Sequence, residues 1–312
     1  MLRAVLALGF FFTGLGASAA SVAASFDPGR ARFAVEANGF SVEYRTFSIS
    51  VLPGETLSLK SSRPATLKGL GARNDAARST WALAAPEAPG VYPVEFDAGD
   101  DKVALNVIVL QPVAPGKEEI VDGYRLGAYP SVPFRGLDAY KAPEGFIVVT
   151  PENENTPVSP HFVLKQFLCK QEGGWPKLAV VRPQLLVKLE RILEKVNGAG
   201  IRTDSFVVMS GYRTPWYNRA IGNKTTSSRH VYGGAADIYI DVSPQDGVMD
   251  DLNGDGVSSK EDADFLYDLL DGWSAKPGLE DLPGGLGSYK ENHAHGPFVH
   301  VDERGYRARW GR

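Results

Sequence analysis

The sequence predicts an all-β sandwich followed by an α+β domain, and three observations carry that expectation. At about 150 residues per domain, 312 residues suggest two domains. Apolar and polar residues alternate in runs between about 27 and 112, the period of a half-buried strand. Beyond about 161 the pattern changes to mixed helix and strand, and all five histidines lie there. Composition sets further bounds. Hydrophobic residues at 43% and charged residues at 22% exclude a disordered chain. A net charge of −4 with no long basic run argues against nucleic acid as a partner. One cysteine excludes an intrachain disulfide and a multi-cysteine zinc site.

Residues 1–24 read as a signal peptide. Arg3 supplies the charge, Ala4 to Leu15 the apolar stretch, and Ala17-Ser18-Ala19 through Ala23-Ala24 the small residues of a cleavage site. The apolar run is shorter than the roughly 20 residues of a membrane span. Cleavage after Ala19 or Ala24 would leave a secreted or periplasmic protein with no membrane span; an uncleaved anchor is the alternative.

Residues 27–112 form the expected sandwich. Phe47, Ile49 and Val51 alternate with polar neighbours, as do Val103, Leu105, Val107 and Val109. Pro53-Gly54, Pro89-Gly90 and Gly99-Asp100 mark turns between strands. Trp81 and the segment from Gly90 to Phe96 resemble immunoglobulin-like modules. Residues 113–160 are rich in proline and glycine and read as a connector with few long elements.

From 161 to 312 the second domain begins. Phe162 to Cys169 reads as a short amphipathic helix with a buried free thiol. Pro183 opens a longer helix that puts Leu185, Leu189, Ile192, Leu193 and Val196 on one face, and Gly198 ends it. Phe206 to Met209, Ala235 to Ile240 and Phe298 to Val301 read as buried strands.

Three of these residues make a candidate metal site. His230 and Asp237 stand seven positions apart, and His300 lies in another strand, followed by Asp302. Two nitrogens and a carboxylate oxygen suit a catalytic zinc with one coordination position open. His-x6-Asp alone is a weak signal; a surface histidine and a strand aspartate would give the same spacing.

The surrounding residues strengthen it. Ser210-Gly211-Tyr212-Arg213-Thr214-Pro215 precedes the site, Ser228-Arg229-His230-Val231-Tyr232-Gly233-Gly234-Ala235-Ala236-Asp237 contains it, and Gly284-Gly285-Leu286-Gly287 and His300-Val301-Asp302 follow. Over about 159–311 the chain resembles the zinc D-alanyl-D-alanine metallopeptidases, a family of murein endopeptidases and carboxypeptidases. The resemblance implies an α+β zinc-peptidase domain with zinc on His230, Asp237 and His300. It implies that Arg213 faces substrate, where a guanidinium can bind a carboxylate or a developing oxyanion; a structural ion pair is the alternative. Tyr212 belongs to the same motif. Ser228 either hydrogen-bonds near metal or substrate or shapes a turn, and Asp302 could orient a metal ligand.

Zinc hydrolysis also needs a proton acceptor. Several family members carry histidine two residues before the last ligand, where this chain has Phe298. Glu291 and His295, in a loop that also holds His293, are the candidates. His161 reads as structural.

A second metal is suggested by Asp251-Leu252-Asn253-Gly254-Asp255-Gly256-Val257-Ser258-Ser259-Lys260-Glu261-Asp262. Asp251, Asn253, Asp255, the Val257 carbonyl, Ser259 and Asp262 match an EF-hand-like calcium loop with aspartate for the usual glutamate. The insertion would span 250–272, with Phe265, Leu266, Leu269 and Leu270 on the apolar side of its helix. An acidic loop folded by capping alone is the alternative.

The sequence therefore predicts an exported zinc metallopeptidase, of D,D- or L,D-type and either carboxypeptidase or endopeptidase, acting on peptidoglycan or its peptides. A catalytically inactive metal-binding protein that recognises the wall or a partner is the alternative. A calcium-dependent adhesion module would explain only the loop and the sandwich. Oligomeric state is not written in the sequence.

Overall fold

The computed structural model describes residues 25–72, 77–113, 120–121, 123–274 and 283–312. The signal peptide expected at 1–24 lies outside them. No described helix is long and apolar enough to cross a membrane.

The N-terminal part is all strand: β1 (Arg30–Ala37), β2 (Phe40–Tyr44), β3 (Thr46–Val51), β4 (Thr56–Lys68), β5 (Arg78–Ala84), β6 (Gly90–Asp97) and β7 (Lys102–Val109). Alternation decides which side chains turn inward. Phe47, Ile49 and Val51 are buried, and so are Val103, Leu105, Val107 and Val109. β3 and β7 pair in parallel, Phe47 beside Leu105 and Ile49 beside Val107. The strands form one hydrogen-bonded path, β2-β1-β4-β6-β7-β3, with β5 alongside β4. β4 is the shared member. Its first half pairs with β1 and β5, and Thr66 to Lys68 pair with β6.

The segment expected to be a connector holds more structure than its composition suggests. β8 (Gln111–Pro112) just precedes it, and β9 (Ile120–Val121), β10 (Tyr124–Arg125), β11 (Gly145–Val149) and β12 (Pro157–Ser159) fall within it. β11 is the centre of a three-stranded sheet, flanked by β8 and by β14 (Lys177–Ala179), and buries Phe146, Ile147 and Val149. The apolar run behind β11 is only four residues long. Proline and glycine on either side hide it from a composition-based reading.

The expected helix from Phe162 to Cys169 is instead β13 (Phe162–Val163), paired with β12, and a 3-10 turn over Leu164–Phe167. Phe162, Leu164, Phe167 and Cys169 are all buried, a pattern wider than one helix face. α1 (Pro183–Gly198) follows the sequence reading, with Leu185, Leu189, Ile192, Leu193 and Val196 buried.

A five-stranded sheet then carries the C-terminal half, in the order β15 (Val207–Ser210), β16 (Ala235–Tyr239), β18 (Phe298–Asp302), β17 (Gly285–Tyr289), β19 (Ala308–Trp310). α2 (Pro215–Ala220) is a short helix capped by Thr214, whose hydroxyl accepts the Tyr217 N–H at 3.0 Å. α3 (Lys260–Ser274) rests on β17 and β18. Its buried apolar residues are Ala263, Leu266, Tyr267 and Leu270, an i, i+3, i+4, i+7 stripe. Phe265 lies outside that stripe and is 40% exposed, contrary to the sequence expectation.

The two halves meet at β12 and at the N-terminal residues. Pro157 O accepts from Ser48 Oγ at 2.8 Å and Asn106 Nδ2 at 2.9 Å. His161 stacks on Phe26 at 4.8 Å. Its Nδ1 lies 2.6 Å from Glu190 Oε2, and its Nε2 lies 2.9 Å from Asp27 O. With Glu190 ionised both partners accept, an arrangement that favours the imidazolium form of the ring. Burial opposes that charge, but the hydrogen bond and charge of Glu190 outweigh it and raise the His161 pKa.

A pKa raised on folding stabilises the fold fully below the unfolded value of about 6.5, and the gain is lost as pH rises through the folded value. His161→Gln should therefore lower the melting temperature most at pH 5–6, by an amount corresponding to about 1–3 kcal/mol. The gap to wild type should narrow as pH rises; a gap independent of pH would show that the ring is not charged in the fold.

Candidate metal centre

One row of the five-stranded sheet builds most of the site. Asp237 pairs with His300, His300 with Gly287, and Gly287 with Trp310, across four strands. His230 enters from outside the sheet, on a 3-10 turn at Arg229–Tyr232. Gly233 closes that turn at φ 65°, where a Cβ would run into the Val180 carbonyl.

His230, Asp237 and His300 are all buried, with ligand atoms within 4.8 Å of one another. His230 Nε2 lies 3.2 Å from His300 Nδ1 and 3.2 Å from Asp237 Oδ1. His300 Nδ1 lies 2.8 Å from Asp237 Oδ1. With bonds of about 2.0–2.1 Å, ligand atoms around a tetrahedral zinc stand about 3.3 Å apart, so the triangle fits.

The outer hydrogen bonds fix which way the lone pairs point. His230 Nδ1 is 2.7 Å from Gly211 O, an acceptor, so Nδ1 carries the proton and Nε2 presents a lone pair. His300 Nε2 is 3.0 Å from Asp302 Oδ2, which fixes the ring with Nδ1 turned to Asp237. Burial opposes a charge on this ring, but its hydrogen bonds to Asp237 and Asp302 outweigh it and raise the His300 pKa, so without a metal Nδ1 shares a proton with Asp237. Two ring nitrogens and a carboxylate oxygen thus converge, and a cation that displaced the His300 Nδ1 proton would find a lone pair on each of the three atoms. Burial pushes the His230 pKa down and keeps the ring neutral. Burial opposes ionisation of Asp237, but the two histidines outweigh it and hold its carboxyl well below the usual range.

Arg213 faces this group and is partly committed to it. Its Nη2 donates to Asp237 Oδ2 at 2.5 Å and its Nε to Ser210 Oγ at 2.8 Å. Arg213 thus makes an ion pair, yet it also lines an open cavity of about 410 Å³ over the three residues. Ser228 lines it too, just ahead of the turn that carries His230. Tyr212 does not. It is buried behind the site, with its hydroxyl 2.8 Å from Tyr129 Oη.

Asp302 is fully buried and held by Gly285 N at 2.7 Å, Arg304 N at 3.0 Å and the Arg304 guanidinium. This accounts for the glycines of Gly284-Gly285-Leu286-Gly287. A Cβ on Gly285 would collide with the Asp302 carboxylate, and one on Gly287 with the Trp310 indole. A second buried charge group stands beside His230. Arg229 donates to Glu303, and Arg182 Nε lies 3.0 Å from the same oxygen. Gly234 makes room for them, since a Cβ there would strike both Glu303 and Arg229. Sequence reasoning missed this triad, whose members are 182, 229 and 303.

Glu291 and His295 do not line the cavity. Glu291 is exposed. His295 is held by Asn292 Nδ2 at 2.7 Å and packs edge-on against Phe298, which does form part of the wall. His161 lies at the junction of the two halves.

The 251–262 loop is folded by its own backbone. Asp251 accepts from Gly254, Asp255 and Gly256 N–H groups, Asn253 from Asp255, and Asp255 from Val257. Asp262 is buried and accepts from Leu252, Asn253 and Ser259. Ser259 Oγ bonds Glu261 instead of facing the other donors. Among the described residues the only group of three close metal-ligating side chains is His230, Asp237 and His300, so these carboxylates do not converge on a common point.

Two substitutions test the support around the site. Asp302→Asn removes the charge that orders His300 and should weaken zinc binding about 10–100-fold in a chelator competition. Gly234→Ala should lower stability by about 1–3 kcal/mol in denaturant unfolding, because overpacking falls on a buried ion pair.

Residues 160–252 match the family model described as Peptidase M15, a stretch that contains His230 and Asp237 and stops before His300. No curated protein and no solved structure matches the chain. Over this stretch, less than a third of the chain, the sequence is similar to M15 peptidases.

Proposed function

We propose that the protein is an exported zinc-dependent peptidase that hydrolyses peptide bonds in peptidoglycan cross-links or stem peptides. One observation carries the reading: three convergent lone-pair donors, held from behind, lie under an open cavity with Arg213 beside them. The Peptidase M15 match supports it from an independent direction.

Zinc bound there would act as a Lewis acid on the scissile carbonyl and would acidify an attacking water. The protein's own residues do the rest. Arg213 anchors Asp237 and lines the cavity, where a guanidinium can hold a substrate oxygen. Phe298, Tyr289 and Trp310 make an apolar side that limits water. The substrate bond, D,D or L,D, and the choice between internal and terminal cleavage are left to the experiment. Export rests on the sequence of residues 1–24.

A second reading has its own support. Among the described residues the only carboxylate and histidines lining the cavity are Asp237, His230 and His300 themselves, so no separate proton acceptor faces the substrate. A metal-binding protein that recognises wall peptides without cutting them fits that lining. Calcium at the 251–262 loop is not needed by either reading.

Purified protein incubated with peptidoglycan should release new muropeptides, and His230→Ala should release none. Wild-type protein that holds one zinc and binds peptidoglycan without product would establish the second reading. Protein that takes up no zinc would overturn both.

A further inference from the structure

The cavity wall beside the three ligand residues carries a hydroxyl aimed by a neighbour. Tyr289 ends β17 and pairs with Phe298 of β18, with the two rings stacked at 4.6 Å and 6°. On the other side Trp310 pairs with Gly287, whose missing side chain lets the indole lie across β17. The indole stands 5.2 Å from the His300 ring and donates its Nε1–H to Tyr289 Oη at 2.8 Å. Indole N–H only donates, so it occupies a lone pair of the phenol oxygen. The phenol's own hydrogen has no protein acceptor among the described residues. Tyr289, Trp310, His300 and Asp237 line one cavity, and Tyr289 is 38% exposed. Burial raises the phenol pKa, so it keeps its hydrogen at neutral pH. Arg213, another donor lining the cavity, already spends two N–H groups on Ser210 and Asp237.

We propose that Tyr289 is a catalytic residue whose O–H, aimed by Trp310, hydrogen-bonds the scissile carbonyl oxygen as that oxygen gains charge. The proposal rests on the peptidase reading above. As the water oxygen bonds to the carbonyl carbon, the π pair moves onto the carbonyl oxygen, and Tyr289 donates to it without giving up its proton. The oxygen that came from water passes its proton directly to the scissile nitrogen; as the pair returns to re-form the carbonyl, the C–N bond breaks and the amine leaves. Trp310 is a positioning residue, acting through the phenol.

The test uses the zinc-loaded full chain with Tyr289→Phe and Trp310→Phe. Tyr289→Phe leaves the stacking on Phe298 in place, so zinc content and melting temperature should match wild type. Its kcat for muropeptide release should fall about 10²–10³-fold with little change in KM, as expected on losing one oxyanion donor. Its affinity for a phosphinic dipeptide, whose tetrahedral anionic centre imitates the charged oxygen, should fall at least about tenfold. Trp310→Phe should show the same pattern with smaller losses. Wild-type kcat in Tyr289→Phe, or unchanged phosphinate affinity, overturns the proposal. If wild type is as inactive as His230→Ala, the peptidase reading fails, and the phosphinate measurement alone decides the role of Tyr289.

Discussion

Two imidazole rings and a carboxylate turn their lone pairs toward one point, and most of the C-terminal half is arranged to keep them there. Left to themselves these groups would repel or share a proton. Gly211 O and Asp302 prevent the rings from turning, because each holds the outward N–H. Arg213 takes the far oxygen of Asp237. Beside these stand the Arg229, Glu303 and Arg182 charges, and the glycines that give Asp302, Trp310 and Arg229 their space.

The support is layered by chemistry as well as distance. The inner groups are polar and water-poor, where hydrogen bonds are strong and an unmatched one is costly. The outer wall is aromatic and rigid. Phe298, two residues before His300, forms a stack with Tyr289 and offers no ring nitrogen.

Much of this was legible in the sequence, for a physical reason. His230 and Asp237 lie within one short motif, and His300 and Asp302 within another, so local spacing exposes them. The alternation in β3 and β7 likewise reports burial directly. Interactions that depend on register across strands were not legible. Nothing near Gly287 announces Trp310, and nothing near Arg229 announces Glu303. The Glu291 and His295 candidates came from proximity in sequence to His300, which the turn between them does not convert into a place on the cavity wall. The 251–262 loop showed a related limit: the donor spacing that suits an ion also suits backbone capping, and here the amides take the carboxylates.

The row Asp237, His300, Gly287, Trp310 has one more implication, for assembly. It joins positions 63 apart in the case of Asp237 and His300, and such distant pairings close late because loop entropy is spent first. A slip of one residue in β18 would point Val299 and Val301 at the site and bury His300 and Asp302 in the core. The ligand set therefore exists only when the sheet is finished and in register. Metal capture would act as a checkpoint, rewarding the correctly threaded chain and leaving misregistered ones without that stabilisation.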